Sequence, residues 1–356
     1  MGGGPMEASM KSYGIAVTMT VAATLLAAPL ALAGQAPEGW TVPRTADGHP
    51  DLQGIWANDS ATPFQRPESL GDRATLTDEE VAAMAAYMAE YDRVGGDAVF
   101  GDTPFLRALV SLEEPEEKEG QASQPARRST RSYNQFWMID RWLDNRTSLV
   151  VDPPNGRLPP RTAKAQARTE RQRAARDTPG PDGRLTLAQE VALVDPAIRC
   201  RGAGAVLSGR GYNSNYQIFQ SANHVAIQIE MHHEIRIIPI GDAAPSQLGP
   251  ATNTGSSRGH WEGDTLVVET TNLKRGVSGS TTDAKVTERF RRVGPEMLQY
   301  EYTIHDLTTW TQPWTARMFM RPAPGTGVIY EFACHEGNYA MEHALTNERY
   351  LDAQGR

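Results

Sequence analysis

The chain has 356 residues, with 43 acidic against 35 basic side chains and a formal net charge of −8. That balance, without any basic stripe, excludes nucleic acid as a partner. The length allows one large domain or two modest ones. Cys200 and Cys334 can pair with each other in an oxidising compartment, with two free thiols as the alternative.

Residues 1–33 have the order of a secretory leader. Lys11 supplies the basic region, Ile15 to Leu32 is an apolar stretch, and Ala31-Leu32-Ala33 is a small-residue cleavage site before Gly34. Met10 reads as the start of that leader. A membrane anchor is the competing reading, because the apolar run is nearly long enough to span. The small residues at its end and the Gly34-Gln35-Ala36-Pro37 that follows favour cleavage, and no cysteine follows to carry a lipid. No second hydrophobic segment of membrane length exists. The expectation is a periplasmic or secreted protein with no stable membrane insertion after cleavage.

Gly54-Ile55-Trp56 then begins a first strand with a core tryptophan. Gly-x-Trp in this position resembles the opening of lipocalin-like barrels, where the tryptophan plugs the closed end. Thr77-Asp78-Glu79-Glu80 is a capping box. Val81, Met84, Ala85, Met88 and Tyr91 follow near helical spacing, and Gly95-Gly96 ends the helix. Glu113 to Arg131 is charged and serine-rich and reads as a surface loop. Asn134 to Trp142 is aromatic core. Thr147 to Val151 is a strand, and the four prolines between Asp152 and Pro160 forbid regular structure there. Helices are predicted over Ala163 to Ala175 and Thr186 to Val194. The basic run Arg161 to Arg176 is a solvated helix face.

From Tyr216 onward the period changes to two. Val225, Ile227 and Ile229 point one way, and Ile235 to Ile240 forms the next strand. The meander that follows has five predicted strands: Thr265 to Thr271, Val286 to Arg292, Leu298 to Ile304, Ala316 to Arg321, and Val328 to Ala333. Gly263 supplies the turn before the first of these. A meander this long closes into a barrel or a sandwich, which removes or protects its edges. The expected fold is mainly β: an antiparallel barrel or strongly curved sheet, lipocalin-like or calycin-like, with an N-terminal helical elaboration. It forms one domain over 34–356, with a helical and loop insertion at about 75–200 that holds the helices.

Several segments together resemble one large family of exported, mostly uncharacterised bacterial proteins. They are Asn145 to Pro154, Met231 to Pro239, the hairpin His260 to Thr271 with its WEGDTLVVETTN, Thr308-Thr309-Trp310 with Pro313-Trp314, and Tyr330 to Tyr339 with YEFACHEGNY. The resemblance covers most of the mature chain. It implies export, and it supplies no catalytic residues.

There is no P-loop, no dinucleotide fingerprint and no Gly-x-Ser-x-Gly elbow. The glycine-rich Arg201 to Gly211 lacks the strand and helix that a phosphate cradle needs. The ionisable residues that stand out lie at strand ends, where a rigid sheet positions side chains that remain accessible. Strand periodicity puts His232 and Glu234 on one face and His233 with Ile235 on the other. His335-Glu336 follows the last predicted strand, beside Cys334. These residues allow acid–base chemistry, with His233 and His335 moving protons and Glu234 or Glu336 orienting them. Arg236 is the candidate to hold a substrate oxygen, and Trp261, Tyr330 and Tyr339 the candidate apolar wall. No cofactor is predicted. A divalent metal is the alternative, held by His232, Glu234 and His335 as two imidazoles and a carboxylate; the plainer alternative is that these groups cap strand ends. Glu301 and Glu331 lie within predicted strands, with Arg289 and Arg317 as candidate partners. The expected function is an exported enzyme of the lyase, isomerase or hydrolase type acting on a small apolar or aromatic molecule. The alternative is a periplasmic binding protein that carries a small hydrophobic ligand in the barrel.

Overall fold

The alternating segments after Tyr216 fold into one antiparallel sheet with two short upstream additions. The computed structural model describes residues 38–94, 98–113, 138–177, 200, 202, 204–209, 211–242, 245, 249–325 and 328–354. All belong to one compact unit, Ala31–Arg356. The leader, the Gly95-Gly96 helix end, the helix predicted over Thr186 to Val194, nearly all of the Glu113 to Arg131 loop and the first part of the Asn134 to Trp142 stretch lie outside the described residues.

The strands are β1 (Gly54–Ala57), β2 (Val150–Asp152), β3 (Asn215–Gln220), β4 (His224–Ile229), β5 (Glu234–Pro239), β6 (Ser256–Glu262), β7 (Thr265–Thr271), β8 (Lys285–Gly294), β9 (Met297–His305) and β10 (Trp314–Pro322). Their order is β5-β4-β3-β1-β10-β9-β8-β7-β6, and β2 pairs with β10. β1 joins the two halves, since Trp56 pairs with Tyr216 on one side and Pro322 on the other. The ends of the path, β5 and β6, approach each other in parallel at Ile240 and Gly259, where the Gly241 N–H donates to the Gly259 carbonyl at 2.8 Å. Glycine permits that seam, because a Cβ on Gly259 would lie 2.8 Å from Ile240 Cδ1. The result is a nearly closed barrel.

Period-two alternation fills its lumen. Ile227, Val268, Val286, Phe290, Tyr300, Tyr302, Ile304 and Trp314 are each at most 1% exposed. Phe290 and Tyr300 rings lie 4.9 Å apart, and Trp314 meets Tyr302 edge-on at 5.7 Å. Interiors packed in this way leave few voids larger than water. Trp56 is buried at one end, its indole N–H bonded to the Leu52 carbonyl at 2.9 Å and covered by the Arg292 guanidinium at 5.5 Å. On the outer face Arg317 pairs with Glu301 at 2.7 Å, while Arg289 pairs with Glu262.

Four helices are described: α1 (Asp78–Val94), α2 (Thr103–Glu113), α3 (Ala163–Asp177) and α4 (Ala340–Ala353). The capping box forms as predicted. Thr77 N–H donates to Glu80 Oε2 at 2.8 Å, and Glu80 N–H to Thr77 Oγ1 at 3.2 Å. Val81, Met84, Met88, Phe105 and Leu109 build a second, smaller core between α1 and α2.

Two expectations are corrected. Val328 to Ala333 is not a strand. The edge of β10 that it would have joined is taken by β1 at Arg321 and Pro322 and by β2 at Thr315 and Ala316. Helices are also not confined to 75–200, because α4 follows the last turn; its Ala, Met, Glu and Leu residues favour a helix.

One loop is anchored by a single carboxylate. Asp306, 5% exposed, accepts from the backbone N–H groups of Thr308 at 3.0 Å, Thr309 at 3.2 Å and Thr281 at 2.6 Å, and from the hydroxyls of Thr308 and Thr309. Burial pushes its pKa up, but these hydrogen bonds outweigh burial and hold it well below the usual 3.8. A depressed folded pKa gives stability that is present above the unfolded value and lost as pH falls through the folded one. Asp306→Asn is therefore expected to cost about 2–3 kcal/mol at pH 7. The gap to wild type should narrow below about pH 4 in denaturant titrations; a constant gap down to pH 2 would remove Asp306 from the account of acid stability.

The lumen also holds an ion pair, Arg236 with Glu288, 2% and 0% exposed. Breaking such a pair leaves an uncompensated buried charge. Glu288→Ala is expected to cost about 3–5 kcal/mol, read from chemical denaturation, and a loss under 1 kcal/mol would contradict this account.

Candidate functional site

The parallel seam fixes which strand ends share a mouth. Ile240 sits at Gly259, and Arg236 reaches Ser257 with its Nε at 3.1 Å. The Glu234 end of β5 therefore lies at the Ser256 end of β6. Trp261 belongs to the opposite mouth, where it stacks on His49 at 5.0 Å with planes 8° apart. It is not part of a wall near Glu234.

Across the Glu234 mouth runs a strap, residues 204–209. Its inner residues Ala205, Val206 and Leu207 are buried in the barrel core. Side chains from the lumen hold its backbone. Arg236 Nη1 donates to the Ala205 carbonyl at 2.7 Å, and Asn58 Nδ2 to the Leu207 carbonyl at 3.4 Å. The Leu207 N–H donates to the Tyr300 hydroxyl, and the Gly209 N–H to the Tyr216 hydroxyl, each at 3.1 Å. Burial pushes both phenols up, and the Glu288 charge raises Tyr300 further. Tyr300 thus stays protonated and donates to Glu288 Oε1 at 2.8 Å.

This network relocates Arg236. Its guanidinium donates to Glu288, to Thr270 Oγ1 at 2.7 Å and to Ser257 Oγ at 3.0 Å. Burial alone would pull its pKa down, and Glu288 reverses that. With its donors committed inside the barrel, Arg236 is a structural group and not a substrate clamp. The packed lumen likewise leaves the expected apolar carrier cavity filled with side chains.

The remaining candidates fall into two groups. Met231–His233 is a 3-10 turn with His232 at φ 63° and His233 at φ 51°, so strand alternation does not apply there. The His232 ring packs edge-on against Phe332 at 4.9 Å. His233 is exposed, its Nε2 3.5 Å from Gln228 Nε2. Glu234 has the inward parity of Arg236, but at the rim it meets Gly202. A Cβ on Gly202 would lie 2.1 Å from Glu234 Oε2, so a larger residue there would displace the carboxylate. Cys200 and Cys334 form the expected disulfide, with Cα atoms 5.6 Å apart, and Asn338 Nδ2 donates to Cys200 Sγ at 3.4 Å. The disulfide holds the exposed His335 and Glu336 at the mouth that carries Glu234. Tyr330 and Tyr339, 66% and 59% exposed, form no apolar wall; Tyr339 stacks on His343 at 5.9 Å. Among the described residues no group of three His, Cys, Asp or Glu is placed to hold a metal ion, so His232, Glu234 and His335 do not assemble as a metal set.

The outer side of the strap lines a cleft of about 280 Å³. Gly202, Gly204, Val206 and Ser208 form one wall, and Asn253 with Arg275, Gly276, Val277 and Ser278 the other. Gly202 thus both lines the cleft and abuts the Glu234 carboxylate. Asn253 and Arg275 were not among the sequence candidates. Both lie in aperiodic loops, and the only signal was the density of glycine and serine around them. A larger cleft of about 560 Å³ lies at the opposite mouth, near Trp40. Two of its arginines are committed: Arg44 to Asp264 at 2.7 Å, and Arg292 to the carbonyls of Asp51 and Pro295. None of the sequence candidates lines it.

No family model, curated protein or solved structure matches the chain. Among the described residues no helix is long and apolar enough to cross a membrane.

The disulfide joins residues 134 apart in sequence. A loop of that length predicts a contribution of up to about 5 kcal/mol in the chain-entropy model. The double variant Cys200→Ser, Cys334→Ser should lose stability on that scale in denaturation curves, and reductant should destabilise wild type alone. Equal wild-type midpoints with and without reductant would show that the surrounding contacts hold the mouth together unaided.

Proposed function

We propose that the protein is an exported enzyme that acts on a small molecule by acid–base chemistry at the strapped mouth. The observation that supports this is the meeting of two distant segments there. His232-His233-Glu234 and Phe332 to Glu336 come together around the Cys200–Cys334 bond, next to the cleft that shares Gly202 with Glu234. Glu234 is half-buried with Oε2 against Gly202, and a carboxylate at the edge of a ligand site is a candidate to move protons. In this reading Glu234 takes or gives a proton at a ligand in the cleft. His233 and His335 exchange it with solvent, since imidazole titrates near neutral pH, and Glu336 orients His335. The cleft is lined mainly by glycine backbone, serine, asparagine and arginine, which favours a small molecule with a polar end. The alternative, non-catalytic transport of a hydrophobic ligand, would need space in a lumen whose side chains are almost fully buried.

Export rests on the order of residues 1–33 and fits the disulfide, which persists in oxidising compartments. N-terminal sequencing of the exported protein should find Gly34 first.

The test is turnover of a pool of small esters, lactones, hydroxy acids and keto acids, followed by mass spectrometry. Wild type should consume at least one compound. Glu234→Gln should slow that consumption by about 10²–10⁴-fold, and His335→Ala should slow it too, with thermal midpoints nearly unchanged. Wild-type rates in both variants would overturn the assignment. Compounds that bind and are recovered unaltered would favour the carrier.

A further inference from the structure

We propose that the cleft beside Glu234 binds the oxyanion group of a small ligand, a carboxylate or a phosphate, through Arg275. This rests on reading that mouth as the working site and names the class of molecule it takes.

Arg275 lines the cleft half-buried, and among the described residues it makes no hydrogen bond and no ion pair. Arg44, Arg146, Arg236, Arg289, Arg317 and Arg321 each pair with a carboxylate. Half-buried Arg258 shares the lack of a partner among the described residues but does not line the cleft. A guanidinium partly withdrawn from water and left without an acceptor is costly. An oxyanion that takes two of its N–H groups in the planar fork offsets that cost.

The opposite group is complementary. Asn253 Oδ1 is buried with no hydrogen-bond partner among the described residues. It can accept from a hydroxyl or other donor carried next to the oxyanion.

The walls are built for close approach. Gly204 has φ 102°, a conformation L side chains rarely adopt, and a Cβ there would touch Val277 Cγ1 at 3.6 Å and the Asn253 carbonyl at 3.7 Å across the cleft. The turn that presents Arg275 also demands glycine, since a Cβ on Gly276 would lie 1.9 Å from the Ser280 carbonyl oxygen. The volume of about 280 Å³ lies at the small end of ligand sites. Arg275 would hold the anionic end, with Gly202 standing between the rest of the ligand and Glu234.

The experiment titrates inorganic phosphate and, separately, acetate into the full mature protein at low ionic strength. Calorimetry and the amide NMR shifts of Gly202, Gly204 and Gly276 give the readout. At least one anion should saturate and shift those amides, and added salt should weaken it. Saturation by phosphate alone or by acetate alone identifies the oxyanion. Arg275→Gln should weaken binding at least tenfold, Arg275→Lys should keep part of it, and Arg291→Gln at the other mouth should change nothing. The proposal fails if neither anion saturates, if Arg275→Gln binds like wild type, or if Arg291→Gln weakens binding as much. Glu234→Gln separates the two readings. Anion binding retained in that variant with turnover also unchanged would leave the anion site standing and remove the catalytic one. Lost turnover in a protein that binds neither anion would do the reverse.

Discussion

The Arg236–Glu288 pair inside the barrel is the interaction on which the rest depends. Two charges taken out of water cost several kcal/mol each, and their attraction offsets that only when the remaining donors and acceptors are satisfied. Here they are. Arg236 is shared among Glu288, Thr270, Ser257 and the Ala205 carbonyl, and Glu288 also accepts from Tyr300. The bonds run from β5 to β6, β7, β8 and β9, so one cluster spans the seam where the sheet almost closes. An apolar pair would fill the same volume without fixing which strands face each other.

The strap is the consequence of that cluster. A backbone entering an apolar lumen would bring unsatisfied N–H and carbonyl groups. Arg236, Asn58, Tyr216 and Tyr300 supply the partners that let Ala205 and Leu207 close the mouth. Closing it from inside turns the strap's other side into the wall of an external cleft. The barrel therefore acts as a scaffold, and the open cleft lies on top of it.

Much of this was legible in the sequence, for physical reasons that also mark where legibility ends. Alternation in β4, β7, β8, β9 and β10 reports burial of one face, and burial decides strand register. Two cysteines leave one pairing, and Thr77 with Glu80 forms a local cap. Val328 to Ala333 also alternates, but whether it pairs depends on β1 and β2, which come from far upstream and occupy that edge of β10. Trp261 looked close to Glu234 because both belong to neighbouring strands; only the parallel seam shows that they sit at opposite ends. Asn253 and Arg275 carry no periodicity, and only the folded chain brings their loops to the strap.

The contrast between Arg236 and Glu234 is the most instructive. They share one face of β5 and lie two residues apart, about 7 Å along a strand. Periodicity gives them the same face, and the sequence made both of them candidate site residues. Depth separates them. Two residues inside the rim, an arginine meets a carboxylate, two hydroxyls and a carbonyl, and is used up by the fold. At the rim, a carboxylate meets a glycine whose other side is open to the cleft. The sequence sets which face a side chain takes, but how far it sits from the end of the barrel depends on where the strap crosses. That crossing is fixed by Tyr300 and Tyr216, residues on other strands. Whether a charged residue in such a barrel is built into the core or left at the rim is thus decided by a segment that is neither helix nor strand.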